Sequence, residues 1–230
     1  MTGDVSAFQL VFSGDPGLYA IVRLSLLVSL SAVLFAGLLG VPFGALLALT
    51  RFRGREAVIV FLNAMMGLPP VVAGLAIFLL LSRSGPLGSL GLLFTPQAMV
   101  IAQTVLVAPI IAALTRQTVE DLWAEYHDEL AAMNVKAARR VTTLIWDARF
   151  SLVTALLAGF GRAAAEVGAI IIVGGNIDGF TRTMTTAIAL ETSKGDLPLA
   201  IGLGMVLISI VIVINALAWG LRRAGERYAG

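Results

Sequence analysis

The chain contains no cysteine and a single histidine, His127. Without thiols it can form neither a disulfide nor a thiolate metal site, although this does not fix its compartment. It has no HExxH or comparable catalytic cluster, and no P-loop. Metal hydrolysis and nucleotide binding by this chain are therefore not expected, and no cofactor is. Charge is scarce too: Asp, Glu, Lys and Arg make up 13% of 230 residues, where a soluble domain carries about a quarter. The N-terminus offers Asp4 and Asp15 but no basic n-region. The first apolar run is thus expected to act as its own insertion signal rather than be cleaved.

What is present is hydrocarbon. Apolar residues make up 58% of the sequence, and mean hydropathy is +0.94. Residues 24–50, 57–82, 84–115 and 197–221 carry no charge at all, and 150–173 carries only Arg162 and Glu166. Crossing a bilayer takes roughly 20 apolar residues. The expectation is an all-α integral membrane protein with about five spans, at 19–49, 57–82, 97–115, 150–173 and 197–220. Residues 1–18 then form an outer segment, 174–196 an outer loop and 221–230 a tail. The runs do not alternate, which argues against a transmembrane β-barrel.

Basic residues orient the spans. With five of them, one side holds eleven Lys and Arg and the other only Arg83, Arg182 and Lys194. This predicts an outside N-terminus and a cytoplasmic C-terminus. It also places residues 116–149, which carry eleven of the thirty formal charges, in the cytoplasm.

Inside the spans, Ala32, Ala36, Gly40, Gly44 and Ala48 repeat every fourth residue, a stripe along which helix backbones approach closely. Pro42, Pro109 and the pair Pro69-Pro70 are expected to interrupt spans. Pro69-Pro70 is either a kink or part of a pathway lining. Arg162 and Glu166, four apart, are expected to pair, either to fix packing or as a polar element of a conduction path. Gly174, Gly175 and Gly179 permit tight turns in the outer loop. Its Thr181, Arg182, Thr183, Thr185 and Thr186 offer donors for an oxyanion, or simply mark a hydroxyl-rich external loop or re-entrant helix.

In the charged segment, Val119, Leu122, Trp123, Tyr126, Leu130 and Met133 recur at helical spacing opposite Asp121, Glu125, Asp128 and Glu129. Asn134 is placed to end that helix. A basic helix from Lys136 through Arg139 and Arg140 follows. A helix-turn-helix lying along the membrane suits a groove on another protein. A membrane-surface helix and a solvated connector are the alternatives.

This layout resembles the type I permeases of ABC importers. Their loop motif has Glu-Ala-Ala, three residues, Gly, nine residues and Ile-x-Leu-Pro. Here Asp128-Glu129-Leu130 takes the first place, with Ala131 and Ala132 following. Asn134 takes the Gly place, Leu144 the Ile place, and Trp146-Asp147 stands where Leu-Pro would be. The second half, Gly159–Asp196, is similar to the molybdate and tungstate permeases, which carry a comparable Arg-x-x-x-Glu-x-Gly-Ala run (here Arg162, Glu166, Gly168), then Gly-Asn-Ile (Asn176) and Thr-Arg-Thr (Thr181, Arg182, Thr183). The run from Thr183 to Gly195 is most like the tungstate branch.

The resemblance implies a prokaryotic inner-membrane permease that is not itself an enzyme. It works as a homodimer with two ATP-binding subunits and an extracytoplasmic oxyanion-binding protein. No nucleic-acid partner is expected. ATPase coupling then falls to Glu125, Asp128, Glu129, Ala131, Ala132, Asn134, Lys136 and Arg139. The pathway or gate falls to Pro69, Pro70, Arg162, Glu166, Gly168, Asn176, Thr181, Arg182 and Thr183. A molybdate permease of the same class is the alternative for the cargo. A channel or secondary transporter without an ATPase would explain the spans but not the amphipathic segment. A membrane scaffold would explain the segment but not the broken helices.

Overall fold

A computed structural model describes residues 16–133 and 136–229. Nine α-helices carry these residues: α1 Pro16–Leu49, α2 Arg55–Met66, α3 Pro70–Leu81, α4 Pro96–Ala132, α5 Ala137–Asp147, α6 Arg149–Ala164, α7 Gly168–Gly174, α8 Met184–Lys194 and α9 Leu197–Ala229, with a 3-10 turn at Gly88–Leu90. No strand occurs among the described residues. Three helices are long and apolar enough to cross a membrane, α1, α4 and α9 (over Leu197–Gly220), and two bent helix pairs bring the total to as many as five.

The small-residue stripe of α1 lies against α4, as its spacing predicts. A Cβ on Gly40 would stand 3.0 Å from the Ala108 carbonyl oxygen, and one on Gly44 would run into the Ala112 carbonyl. Backbone-to-backbone contact of this kind supplies the dispersion that lipid cannot replace. Pro42 and Pro109 sit inside α1 and α4 without ending either helix. The interruptions expected there are absent, because one proline removes one backbone bond and the rest of each helix is held by this close seam.

Pro69-Pro70 does break the chain. Each proline disfavours helical backbone in the residue before it. Gly67 to Pro69 therefore leave the helix, and α2 and α3 meet at 102°. The stretch 57–82 is an elbow rather than a straight span. The expected span 150–173 is likewise divided: α6 ends at Ala164, and α7 starts at Gly168.

The charged segment also differs from expectation at its entry. No turn separates it from the third span, because α4 continues unbroken to Ala132. At 1.5 Å per residue its 37 residues reach about 55 Å, well beyond the ~30 Å of a hydrocarbon core. Its last turns therefore project from the bundle as one rigid continuation of the membrane helix. The apolar face of that projection is already occupied: Val119, Leu122, Trp123, Tyr126 and Leu130 pack with Val141, Leu144 and Ile145 of α5 and Ala45, Ala48 and Leu49 of α1. Asn134 lies outside the described residues. In the stretch 174–196, α8 is folded into the bundle, with Met184 and Ala187 buried against Leu18 and Leu203.

Candidate functional site

The break between α6 and α7 concentrates the polar groups of the interior. Glu166 is 2% exposed. Its Oε2 accepts from Arg162 Nη1 at 2.5 Å, and its Oε1 accepts from the Ala169 N–H at 3.0 Å. The carboxylate thus satisfies both a guanidinium and a free N–H in the first turn of α7, which is how a charge becomes tolerable at membrane depth. The expected Arg162–Glu166 pair is formed, although Glu166 lies just beyond the helix that carries Arg162.

The elbow at Pro69-Pro70 abuts the same break. A Cβ on Gly168 would be 3.0 Å from Val71 Cγ2 and 3.7 Å from Glu166 Oε1, and one on Gly74 would be 2.8 Å from Ala169 Cα. Only glycines allow α3 and α7 to approach this closely. Pro70, Arg162, Glu166 and Gly168, which are distant in sequence, therefore form one constellation, with Pro69 on the exposed outer side of the elbow.

The threonines form its third wall. Thr183 caps α8 reciprocally with Thr186. Thr185 Oγ1 donates to the Glu166 carbonyl at 2.8 Å, and the Met184 N–H donates to Ser25 Oγ on α1 at 2.7 Å. On α4, Gln103 Nε2 donates to the Ala163 carbonyl at 2.9 Å while its Oε1 is buried with no partner. A void of about 10 Å³ lies at this junction, lined by Ser25, Ser29, Gln103, Thr183 and Thr185 among others. Of the two readings, oxyanion donors or a hydroxyl-rich loop or re-entrant helix, the geometry favours the second, since Thr185 and Ser25 bind α8 to the break and to α1. Thr181 is also fully buried, donating to the Gly174 carbonyl at 2.6 Å and accepting from the Ile177 N–H at 2.9 Å. Asn176 takes a left-handed backbone (φ 50°) in the same turn. Arg182 pairs with Asp178 at 3.0 Å, away from the Arg162–Glu166 pair.

At the opposite end, Glu120 on α4 is gripped by two guanidinia: Arg116 on its own helix, at 2.5 Å, and Arg55 at the start of α2. Arg55 Nε also donates to the Leu47 carbonyl at 3.0 Å. This triad fastens the end of α1 and the start of α2 to the middle of α4. Sequence reasoning did not single it out. The four-residue step from Arg116 to Glu120 was visible, but the third member is 65 residues away.

Residues 40–227 match the model of the binding-protein-dependent transport system inner membrane component family. The chain belongs to this family. It is 40% identical, over 87% of its length and 88% of the relative's, to a Haloferax volcanii protein named "Probable anion ABC transporter permease protein". The tungstate uptake system permease protein TupB of Peptoclostridium acidaminophilum is 38% identical over 94% of this chain and 95% of that one. TupB of Campylobacter jejuni is 35% identical over 96% and 92%. The chain is an inner-membrane ABC permease and a transport subunit rather than an enzyme. Its family implies ATP-binding subunits and a substrate-binding protein as partners.

In this permease, Glu125, Asp128, Glu129, Ala131 and Ala132 at the projecting end of α4, and Lys136 and Arg139 at the start of α5, are all exposed. They form the outer surface of the α4–α5 hairpin whose inner surface packs on α1. Trp123 inside the hairpin meets His127 edge-on at 4.8 Å and Arg140 at 5.6 Å. His127 is an exposed surface residue of α4 whose Nδ1 also lies 3.1 Å from Asp128 Oδ1, and no metal-holding group of His, Asp or Glu exists among the described residues.

Proposed function

We propose that this permease imports tungstate, a tetrahedral dianion, driven by ATP hydrolysis in separate subunits. Near full-length likeness to two tungstate uptake permeases is the observation that supports the cargo. Two copies of the chain form the pathway, two ATP-binding subunits dock on the cytoplasmic side, and an extracytoplasmic binding protein delivers the anion. The N-terminus lies outside, in keeping with the distribution of Lys and Arg.

The exposed face of the α4–α5 hairpin, Glu125, Asp128, Glu129, Ala131, Ala132, Lys136 and Arg139, engages the ATPase, with Asn134 assigned to the same coupling role from the sequence alone. Because α4 is continuous, a push on this hairpin is delivered along a rigid rod to Gln103 and the α6–α7 break. There Arg162, Glu166 and Gly168, with the Pro69-Pro70 elbow, form the gate. Glu166 keeps Arg162 paired while the pathway is closed, and a helix break can change angle without breaking a regular ladder of hydrogen bonds. Thr183 ties α8 to the same break. Asn176, Thr181 and Arg182 shape the outer turn rather than the gate itself.

The test is a double charge reversal, Asp128→Lys with Glu129→Lys, read by ATP hydrolysis of the assembled transporter in response to tungstate-loaded binding protein. Stimulation should be lost while the chain still inserts and remains monodisperse. Full stimulation in the reversed protein would refute the coupling role.

A further inference from the structure

Arg23 lies seven residues into α1, on a face that the bundle leaves exposed, and makes no hydrogen bond or ion pair among the described residues. An unpaired guanidinium in an apolar helix near a bundle end must reach a polar partner at the membrane surface. Across from it, Arg182 donates only Nη1 to an acid, Asp178, and its Nε is buried without a partner. Arg23, Arg182 and Asp178 line one cavity of about 310 Å³ at the end of the molecule opposite the α4–α5 hairpin. Two guanidinia against one carboxylate, itself 78% exposed, leave a net charge of +1, suited to one monoanion.

The rest of that cavity is apolar, including Leu24, Leu27 and Phe180. Leu27 also opens a second hollow, of about 540 Å³, between α1 and α4. On the α1 side this trough is lined by Leu27, Ser31, Phe35 and Leu39, which continue the every-fourth-residue row that begins at Arg23. Facing them are Ile101 and Val105 of α4. A cationic head pocket thus runs directly into an apolar trough that follows the helix axis into the membrane.

We propose that this is a binding site for one phospholipid of the outer leaflet. Its phosphodiester is held between Arg23 and Arg182, and one acyl chain lies along Leu27, Phe35 and Ile101. Guanidinium donors match phosphate oxygens in number and geometry. A free tetrahedral oxyanion would satisfy the head pocket but has no use for the trough. The proposal stands on this geometry and not on the identity of the cargo.

The test is native mass spectrometry of the full-length chain, with its accompanying subunits, released from membranes in mild detergent. Wild type should retain one phospholipid per copy. Arg23→Gln with Arg182→Gln should lower retention at least tenfold. Leu27→Trp, which fills the shoulder between pocket and trough without touching charge, should do the same. Leu30→Trp, on a different exposed face of α1, should leave retention at the wild-type level. Undiminished lipid in the double-Gln and Leu27→Trp proteins would overturn the site. So would displacement of the lipid from wild type by excess tungstate or inorganic phosphate, which would make the head pocket a free-oxyanion site. Efficient disulfide formation between two copies through Leu27→Cys, in this cysteine-free chain, would show the trough closed by a second protomer and would equally overturn it.

Discussion

Replacing Arg162 by Met strips the cation from a carboxylate that has no route to water. Glu166 is 2% exposed at its side chain, whereas Arg162 is 30% exposed. Breaking a buried ion pair by removing one partner costs roughly 3–5 kcal/mol, because the remaining charge stays desolvated. Arg162→Met should carry that full penalty, since only the Ala169 N–H is left to hold the carboxylate. Glu166→Gln is milder. The amide oxygen can still accept from Ala169, and the abandoned guanidinium is open enough to be hydrated. The loss is then that of one charge-assisted hydrogen bond, about 1.5–3 kcal/mol before solvent screening and roughly 1–2 kcal/mol after it.

For a chain of this length each kcal/mol moves Tm by about 2–4 °C. Tryptophan-fluorescence melting in detergent should therefore place Arg162→Met roughly 6–20 °C below wild type and Glu166→Gln only about 2–8 °C below. The double variant, which leaves neither charge buried, should be less damaged than the sum of the two by about 1–3 kcal/mol. A Glu166→Gln protein as unstable as Arg162→Met, or strict additivity in the double variant, would refute the asymmetry and with it the pairing on which the proposed gate rests.

Three further predictions concern packing. Gly44→Ala drives a methyl into the Ala112 carbonyl region and should cost about 1–3 kcal/mol, whereas Gly161, with nothing within 4 Å of a built Cβ, should accept Ala with a gain of up to about 1 kcal/mol from helix propensity. Paired thermal melts check both. Glu120→Gln leaves Arg55, at the start of α2, facing Arg116, within α4, and should lower stability by about 1–3 kcal/mol. Restoring the carboxylate as Asp should recover part of it in the same melt. Thr183→Val removes the α8 cap at about 0.5–2 kcal/mol, which hydrogen exchange should show as faster opening of Met184–Lys194 with α1 and α4 unchanged.

Much of the architecture was legible because lipid leaves so few solutions. Charge-free runs located the membrane-crossing material, and the four-residue repeat from Ala32 to Ala48 marked the face that meets α4. The Arg162–Glu166 spacing foretold the ion pair. What was not legible depended on competition between local and tertiary terms. Pro42 and Pro109 read as breaks, yet the α1–α4 seam overrides a single lost hydrogen bond, while two adjacent prolines after Gly67 do break the helix. The start of the charged segment read as a boundary because composition changes there, but α4 has no helix-ending residue between Thr115 and Ala132. The threonines of 181–186 read either as oxyanion donors or as part of a hydroxyl-rich loop or re-entrant helix, and the sequence could not choose. Their partners, the Gly174 and Glu166 carbonyls and Ser25, lie on elements that only the fold brings near. The Arg55–Glu120–Arg116 triad was hidden for the same reason.

Tungstate uptake into proteoliposomes containing this chain, ATP-binding subunits and the loaded binding protein decides the function. Internal tungsten, measured by elemental mass spectrometry, should rise above the external concentration only when ATP is supplied on the side of the α4–α5 hairpin. It should fail to rise when any one component is left out. Tungstate entry that equilibrates without ATP, or that proceeds without the ATPase subunits, would contradict ATP-driven import.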